Sequence, residues 1–247
     1  MVRHSIVLLC LGFLTFSCQN SSEKQANQIQ EIKTETSSQT SSDVNTSENT
    51  ETTKAQTQTE NTSTPISATQ TENTVEISRL PQNIDEFVEV RDNVSNTPEG
   101  GAAMFIVACM IYVQDNDVAP LTVAVAKNRL QEDSKGYKGY TIHLSDLRLI
   151  KDQLKRYPFL PNSYVLGTSP QDGYSLSNKS LKFSFSTNKY SGSEEEGNIK
   201  LFVPSSGADS PRPIKVTRND KGLWKADEWS SLLVGIRTPP QADKDEL

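Results

Sequence analysis

Asn96-Thr97-Pro98-Glu99-Gly100-Gly101 runs on into Ala102-Ala103-Met104-Phe105-Ile106-Val107-Ala108-Cys109-Met110-Ile111-Tyr112-Val113 and carries the strongest structural signal in the chain. Thr97 supplies a cap, Pro98 suits the first helical position, and Glu99 places an acid on the positive end of the helix. The twelve residues that follow have no polar side, so the helix they form has to be surrounded by the rest of its domain.

Working outward, Asn83 followed by Glu86 makes a capping-box-like start, and Ile84, Phe87, Val88, Arg91 and Val94 continue at helical spacing. After a turn at Asp115-Asn116-Asp117, a third helix is expected over Leu121 to Leu130. A fourth, capped by Ser145, runs through Leu147, Ile150 and Leu154 until Tyr157-Pro158 stops it. Beyond Pro161 the period shortens toward two, in Leu181-Lys182-Phe183-Ser184-Phe185, Ile199 to Val203 and Ile214-Lys215-Val216. Asn219-Asp220-Lys221-Gly222 turns the chain into Leu223-Trp224, and Leu232 to Ile236 ends it as a strand or as part of a short helix from near Asp227. The expectation is an α+β fold, with about four N-terminal helices packed on a C-terminal, mostly antiparallel sheet.

The chain has 247 residues, but only part of it can build a core. Residues 1–17 read as a signal peptide: Arg3 and His4 precede an apolar run from Ile6 to Phe16, too short to span a bilayer. Residues 18–77 read as a disordered tether, since 37 of the 59 residues from 19 to 77 are Ser, Thr, Asn or Gln and none is aromatic. Thr57 to Thr62 recurs as Thr69 to Thr74 without an apolar face, which fits a duplicated spacer. Residues 78–240 form a single globular domain, and 241–247 a charged tail.

Charge follows the same division. Residues 19–77 carry 3 Lys and 9 acids, whereas residues 78–247 carry 21 Lys or Arg and 22 acids. The domain is nearly neutral and lacks the basic stripe that phosphate neutralisation requires, so nucleic acid is not an expected partner.

Thr15-Phe16-Ser17-Cys18 resembles the lipobox of bacterial lipoproteins, with Thr15 where Leu is usual. The resemblance implies a lipid on Cys18, membrane attachment, and a place in the bacterial cell envelope, at the outer membrane or cell surface before the free periplasm. Cleavage near Ser17 by an ordinary signal peptidase, giving a secreted protein, stays open. Lys244-Asp245-Glu246-Leu247 matches an endoplasmic-reticulum retention signal, here read as coincidence because the lipobox points to bacteria.

Several blocks of the domain resemble a family of bacterial domains of unknown function, often found behind lipoprotein-type signals. They are Thr97 to Ala103, Gly136-Tyr137-Lys138-Gly139-Tyr140, Pro161-Asn162-Ser163-Tyr164, Gly167-Thr168-Ser169-Pro170, Ser206 to Pro213, and Trp224-Lys225-Ala226 with Glu228 to Leu232. The connection around Val118-Ala119-Pro120 looks shorter than the family's pattern. The resemblance implies no activity, ligand or site residue.

Candidate chemistry is sparse. Cys109 is the domain's one cysteine and sits in an apolar run that raises a thiol's pKa, which favours an inert core position. His143 is its one histidine, and no spacing suggests a metal or cofactor; Asp115-Asn116-Asp117 lacks the glycine and distal glutamate of a calcium loop. A hydrolase could be assembled from His143, Ser206 or Ser210, and Asp209, although no Gly-x-Ser-x-Gly elbow is present.

The segment Ser205 to Pro213 is the candidate ligand loop. Gly207, Pro211 and Pro213 fix its backbone while Ser206, Asp209, Ser210 and Arg212 offer polar groups to a ligand. The competing reading pairs Asp209 with Arg212 to brace a strand connection. Tyr137, Tyr140, Tyr164, Tyr174, Trp224 and Trp229 either frame a groove or pack the core. The functional expectation is a non-enzymatic envelope module that binds a ligand, an envelope protein or a glycan, with a hydrolase as the alternative.

Overall fold

A β-hairpin hidden in the polar segment comes first in the computed structural model, which describes residues 65–176 and 180–240. Strands β1 (Ala68–Thr71) and β2 (Thr74–Ile77) pair around a turn in which Asn73 takes a left-handed backbone, φ 62°. The tether expected to reach residue 77 is therefore corrected at its end. The second copy of the duplicated hexad builds the turn, and Val75 and Ile77, fully buried, anchor it. Their alternation covers only three residues, too short to stand out from the threonines around it. The tether before residue 65, Cys18, the signal segment and the charged tail at 241–247 lie outside the described residues.

Helix α1 (Ile84–Val94) starts as expected, with the Asn83 side chain accepting from the Glu86 N–H at 2.9 Å. The reciprocal half of the capping box is missing: the Glu86 carboxylate instead accepts from Arg79, at 2.7 and 2.9 Å, and from the Gln82 N–H. Those bonds, Arg79 foremost, hold the carboxyl down to a pKa of about 2. Helix α2 (Pro98–Asp115) is capped by Thr97, and every residue from Gly100 to Tyr112 is buried.

The third helix is shorter than expected. Helix α3 (Ala119–Ala124) ends where Val125 turns extended to make a parallel bridge with Ala226, and the Ala126 N–H donates to the Ala226 carbonyl at 2.8 Å. A sheet edge in need of partners thus outcompetes a helical pattern that is apolar either way. The rest of the expected helix becomes a 3₁₀ turn and a hairpin of β3 (Leu130–Tyr137) and β4 (Tyr140–Ile142). Helix α4 (Leu144–Arg156) begins after His143, with no side-chain cap, so Ser145 lies inside its first turn. It ends at Tyr157 as expected.

The later strands are β5 (Leu181–Ser184), β6 (Gly192–Ser193), β7 (Asn198–Val203), β8 (Arg212–Arg218) and β9 (Trp224–Glu228), closed by a 3₁₀ turn over Ser230–Leu233. Among the described residues three antiparallel sheets result, ordered β1-β2-β5, β3-β4 and β6-β7-β8-β9. A bridge between Ser186 and Phe202 links the first to the last. The fold is α+β, but strands precede and interrupt the helices, so the expected segregation of helices before strands is corrected.

Helix α2 lies on the inner face of the four-stranded sheet, which presents Leu201, Val203, Ile214, Val216 and Ala226. Phe105 meets Trp229 with ring centroids 4.9 Å apart. Gly101 is there because backbone lies against it: a Cβ would come within 2.6 Å of the Trp224 carbonyl oxygen. Lys225 extends from β9 to donate to the Val123 carbonyl at the end of α3. Burial, with the Arg91 guanidinium adding to it, lowers its pKa to about 8.

Two outcomes follow from this packing. Gly101→Ala should lose about 1–3 kcal/mol of stability, read as a lower urea midpoint at unchanged slope, because the added methyl meets backbone that cannot step aside. Lys225 sheds its proton in the folded chain near pH 8, whereas the unfolded chain holds it to about 10.4. Between those values the unfolded state binds more protons, so stability should rise with pH, and the same rise is lost again as pH falls through 8. The buried Cys109 thiol acts in the opposite direction over this window, because it ionises only in the unfolded chain, and it does so equally in both proteins. The unfolding free energy of the wild type minus that of Lys225→Met, measured from pH 7 to 10.5, should therefore increase with pH, and a flat difference would contradict the lowered pKa of Lys225.

Candidate functional site

The β7–β8 connection is held from three directions. The Ser206 N–H donates to the Ser163 carbonyl at 2.9 Å, the Ser205 hydroxyl to the Ser163 hydroxyl at 2.8 Å, and the Ser206 hydroxyl lies 3.2 Å from that of Thr168. Gly207 sits under the Tyr174 phenol, where a Cβ would approach its oxygen to 2.5 Å, and accepts from the Arg237 N–H at 2.8 Å. Three of the blocks that carry the family resemblance, Pro161 to Tyr164, Gly167 to Pro170 and Ser206 to Pro213, therefore meet in one hydrogen-bonded junction.

The charged residues of the loop also turn to the chain's end. Arg212 donates through Nη2 to the Gly235 carbonyl at 2.7 Å, and its buried Nε has no hydrogen-bond partner among the described residues. Asp209 pairs with Arg237 and not with Arg212, so the brace posed from the sequence exists with different partners. That pair is open to water, with side chains 89% and 56% exposed. Ser210 is exposed at the tip. Tyr164 and Tyr174 complete the junction by donating to the Leu232 and Arg237 carbonyls. Neither tyrosine nor Arg237 carries a sequence signal for this role, because its partners are carbonyls more than sixty positions away or a carboxylate of another loop.

The other sequence candidates are dispersed. His143 stands at the start of α4 with Nδ1 3.3 Å from the Gln131 side chain, and among the described residues no hydrogen bond joins it to Ser206, Ser210 or Asp209. Cys109 is buried in the core, which pushes its thiol pKa well up. Asp117 accepts from the Ala119 N–H at 2.9 Å, which makes its stretch a turn between helices. Among the described residues no three His, Cys, Asp or Glu side chains group as metal ligands. Of the six aromatics that might frame a groove, Tyr164, Tyr174, Trp224 and Trp229 are core residues.

A cleft of about 1050 Å³ opens where the β1–β2 turn, the start of α2 and the β6–β7 turn come together. The Gln70 amide donates to the Thr97 hydroxyl, which itself accepts from the Gly100 N–H, so the hairpin is strapped to the cap of α2. Carboxylates line every wall: Glu72 from the hairpin, Glu99 from α2, and Glu194 and Glu195 from the β6–β7 turn; Arg218 borders the cleft from β8, with its guanidinium carbon 5.5 Å from the Trp224 ring centroid. Burial raises the Glu99 pKa, and the neighbouring Glu194 charge adds to the rise. Ile199 is the one aliphatic residue in the lining.

Residues 79–240 match the family described as a domain of unknown function, DUF6935. The chain belongs to that family. No curated protein and no solved structure matches the chain. The DUF6935 match begins after β2, so one wall of the cleft, Gln70 to Asn73, stands outside the matched residues. The acidic run Glu194-Glu195-Glu196 is visible in the sequence, but nothing in its spacing ties it to Glu99 or to the hairpin.

The junction around the DUF6935 loop makes two substitutions diverge. Arg212→Ala removes a charge-assisted hydrogen bond and should lower stability by about 1–2 kcal/mol. Asp209→Asn breaks only an exposed pair and should cost less than about 0.5 kcal/mol. Thermal melts of the two proteins check both, and equal melting temperatures would contradict the bracing role of Arg212.

Proposed function

We propose that this chain is a non-enzymatic binding module of the bacterial cell envelope, anchored by lipid on Cys18, with the cleft beside the start of α2 as its ligand site. The cleft is the observation that carries the reading. Its volume, about 1050 Å³, is at the upper end for small-ligand pockets, which span roughly 300–1000 Å³. Its lining is hydroxyl, amide and carboxylate, which suits a polar ligand rich in hydrogen-bond donors. Four carboxylates against one guanidinium further favour a ligand with positive charge, such as a peptide amine or an amino sugar.

The anchor rests on Arg3, the apolar run to Phe16, and Cys18 in its lipobox-like setting. More than one acyl chain on that cysteine gives stable attachment, each buried CH₂ contributing about 0.8 kcal/mol. Among the described residues no helix is long and apolar enough to cross a membrane.

Titration of the ¹⁵N-labelled domain with chitosan tetramer and with trilysine should move amides of Gln70 to Asn73, Asn96 to Glu99 and Ser193 to Glu195 together. The double variant Glu99→Gln, Glu194→Gln should bind about tenfold more weakly, the equivalent of roughly 1.4 kcal/mol. Absence of shifts at all three walls, or turnover of either probe, would overturn the binding reading. Intact mass of the membrane-extracted protein should show a mature N-terminus at diacylated Cys18, and recovery of the wild type in the soluble fraction would remove the anchor.

A further inference from the structure

Strand alternation gives the β6–β9 sheet an outer face that covers no core among the described residues. Along β7 and β8, Lys200 stands directly across from Lys215, and Phe202 across from Pro213. Two like charges opposite one another on neighbouring strands destabilise a sheet. Lys215 is relieved by Glu228 at 3.4 Å and Asp227 at 3.6 Å. Lys200 is exposed and forms no ion pair among the described residues. The fold therefore carries an ammonium that it does not use, beside another that it has to neutralise.

Two concavities meet at this lysine pair. One, of about 230 Å³, extends over Phe202 and Pro213 to Trp229 and Ser230; the other, of about 240 Å³, extends to Tyr190 and Asn198. Both are bounded by Lys200, Lys215 and Glu228. Tyr190 is 76% exposed, and the Lys189 ammonium lies 4.9 Å from its ring centroid. An exposed tyrosine plane at one end, a half-buried phenylalanine at the other, and cations between them form a two-compartment groove.

We propose that this groove binds an anionic oligosaccharide, two sugar rings at a time, with the acid group of the ligand set between Lys200 and Lys215. Sugar rings present C–H faces that pack on aromatic planes such as Tyr190 and Phe202. Their hydroxyls donate to Glu228 and exchange hydrogen bonds with Ser230 and Asn198. The ligand's acid group supplies the negative charge that Lys200 lacks in the free protein, so charge complementarity selects an acidic saccharide over a neutral one. The site is separate from the carboxylate-lined cleft and does not depend on it.

Calorimetry with tetragalacturonate as the probe, and with cellotetraose and inorganic phosphate as controls, tests the proposal on the full chain. Saturable binding of the uronate is expected, with cellotetraose at least about tenfold weaker, and phosphate at millimolar concentration failing to displace the uronate. Lys200→Gln and Tyr190→Ala, both surface changes, should each weaken binding by about tenfold or more while melting near the wild-type temperature. Lys155→Gln, the same charge change on α4, should leave affinity unaltered. Equal affinity for cellotetraose, no measurable binding, wild-type affinity in both groove variants, or displacement by phosphate alone would overturn it. Amide shifts separate this proposal from the cleft reading, because the groove reports through Tyr190, Lys200 and Lys215 and the cleft through Gln70 to Asn73 and Asn96 to Glu99.

Discussion

Helix α2 offers water no side between Gly100 and Tyr112, and the rest of the domain is arranged around that fact. An apolar helix buried on all sides gains about 25 cal/mol for each Å² of apolar surface it hides, but only if neighbours approach closely from every direction. Gly100 and Gly101 provide that approach where crowding is greatest. A side chain at Gly100 would stand 1.7 Å from the Val94 carbonyl oxygen, and one at Gly101 would overlap the backbone of Trp224. Helix α1 and strand β9 can therefore both lie against the first turn of α2. The Trp224 N–H then donates to the Ser95 carbonyl at 2.6 Å, joining the α1–α2 corner to the sheet.

The far side of α2 is closed by the segment from Trp229 to Arg237. Trp229 packs at a tilt against Phe105, Leu232 and Leu233 are buried, and the carbonyls of Leu232, Gly235 and Arg237 accept from Tyr164, Arg212 and Tyr174. A segment with little regular structure has few hydrogen bonds of its own to make, so side chains from elsewhere satisfy it. The β7–β8 loop supplies two of those partners, the Arg212 guanidinium for the Gly235 carbonyl and the Gly207 carbonyl for the Arg237 N–H. Gly207, Pro211 and Pro213 limit its freedom, and the polar groups they preorganise are aimed at the C-terminal segment.

Helices and strands with a clear period were legible in the sequence, and so were their stops. Asn83 and Thr97 cap the helices they were expected to cap, Tyr157 ends α4, and the alternation in Leu181 to Ser184 and Ile199 to Val203 locates β5 and β7. Local pattern failed where a distant partner decided the outcome. Val125 and Ala126 leave the helix because β9 has an open edge, and Val75 and Ile77 become strand because Phe183 and Leu181 stand opposite them. The charged loop illustrates the same limit at the level of the site. Asp209 and Arg212 sit three positions apart, which invites pairing, yet Arg237 and Gly235 take their places because the fold brings the chain's end beside the loop. The cleft escaped notice entirely, since its three walls come from residues near 71, 97 and 194 and share no motif.

Rigid loops are often read as recognition elements, because ordering them costs little when a ligand arrives. The same property suits a brace, and backbone stiffness alone does not separate the two roles. What separates them is where the polar groups point. In the β7–β8 loop Arg212 and Ser206 bond carbonyls of the same chain, whereas Asp209 and Ser210 stand exposed. The polar cleft and the outer sheet face differ in this respect: Glu72, Glu194 and Tyr190 are exposed residues of turns, and Lys200 is an exposed residue of the paired strand β7. Side chains at such positions can change without disturbing α2, and the hairpin wall of the cleft lies outside the DUF6935 match altogether. Thr97 is the exception, because it caps α2 and lines the cleft as well, so a change there would act on the fold and on the cleft together, whereas a change at Glu72 or Glu194 would alter the cleft alone.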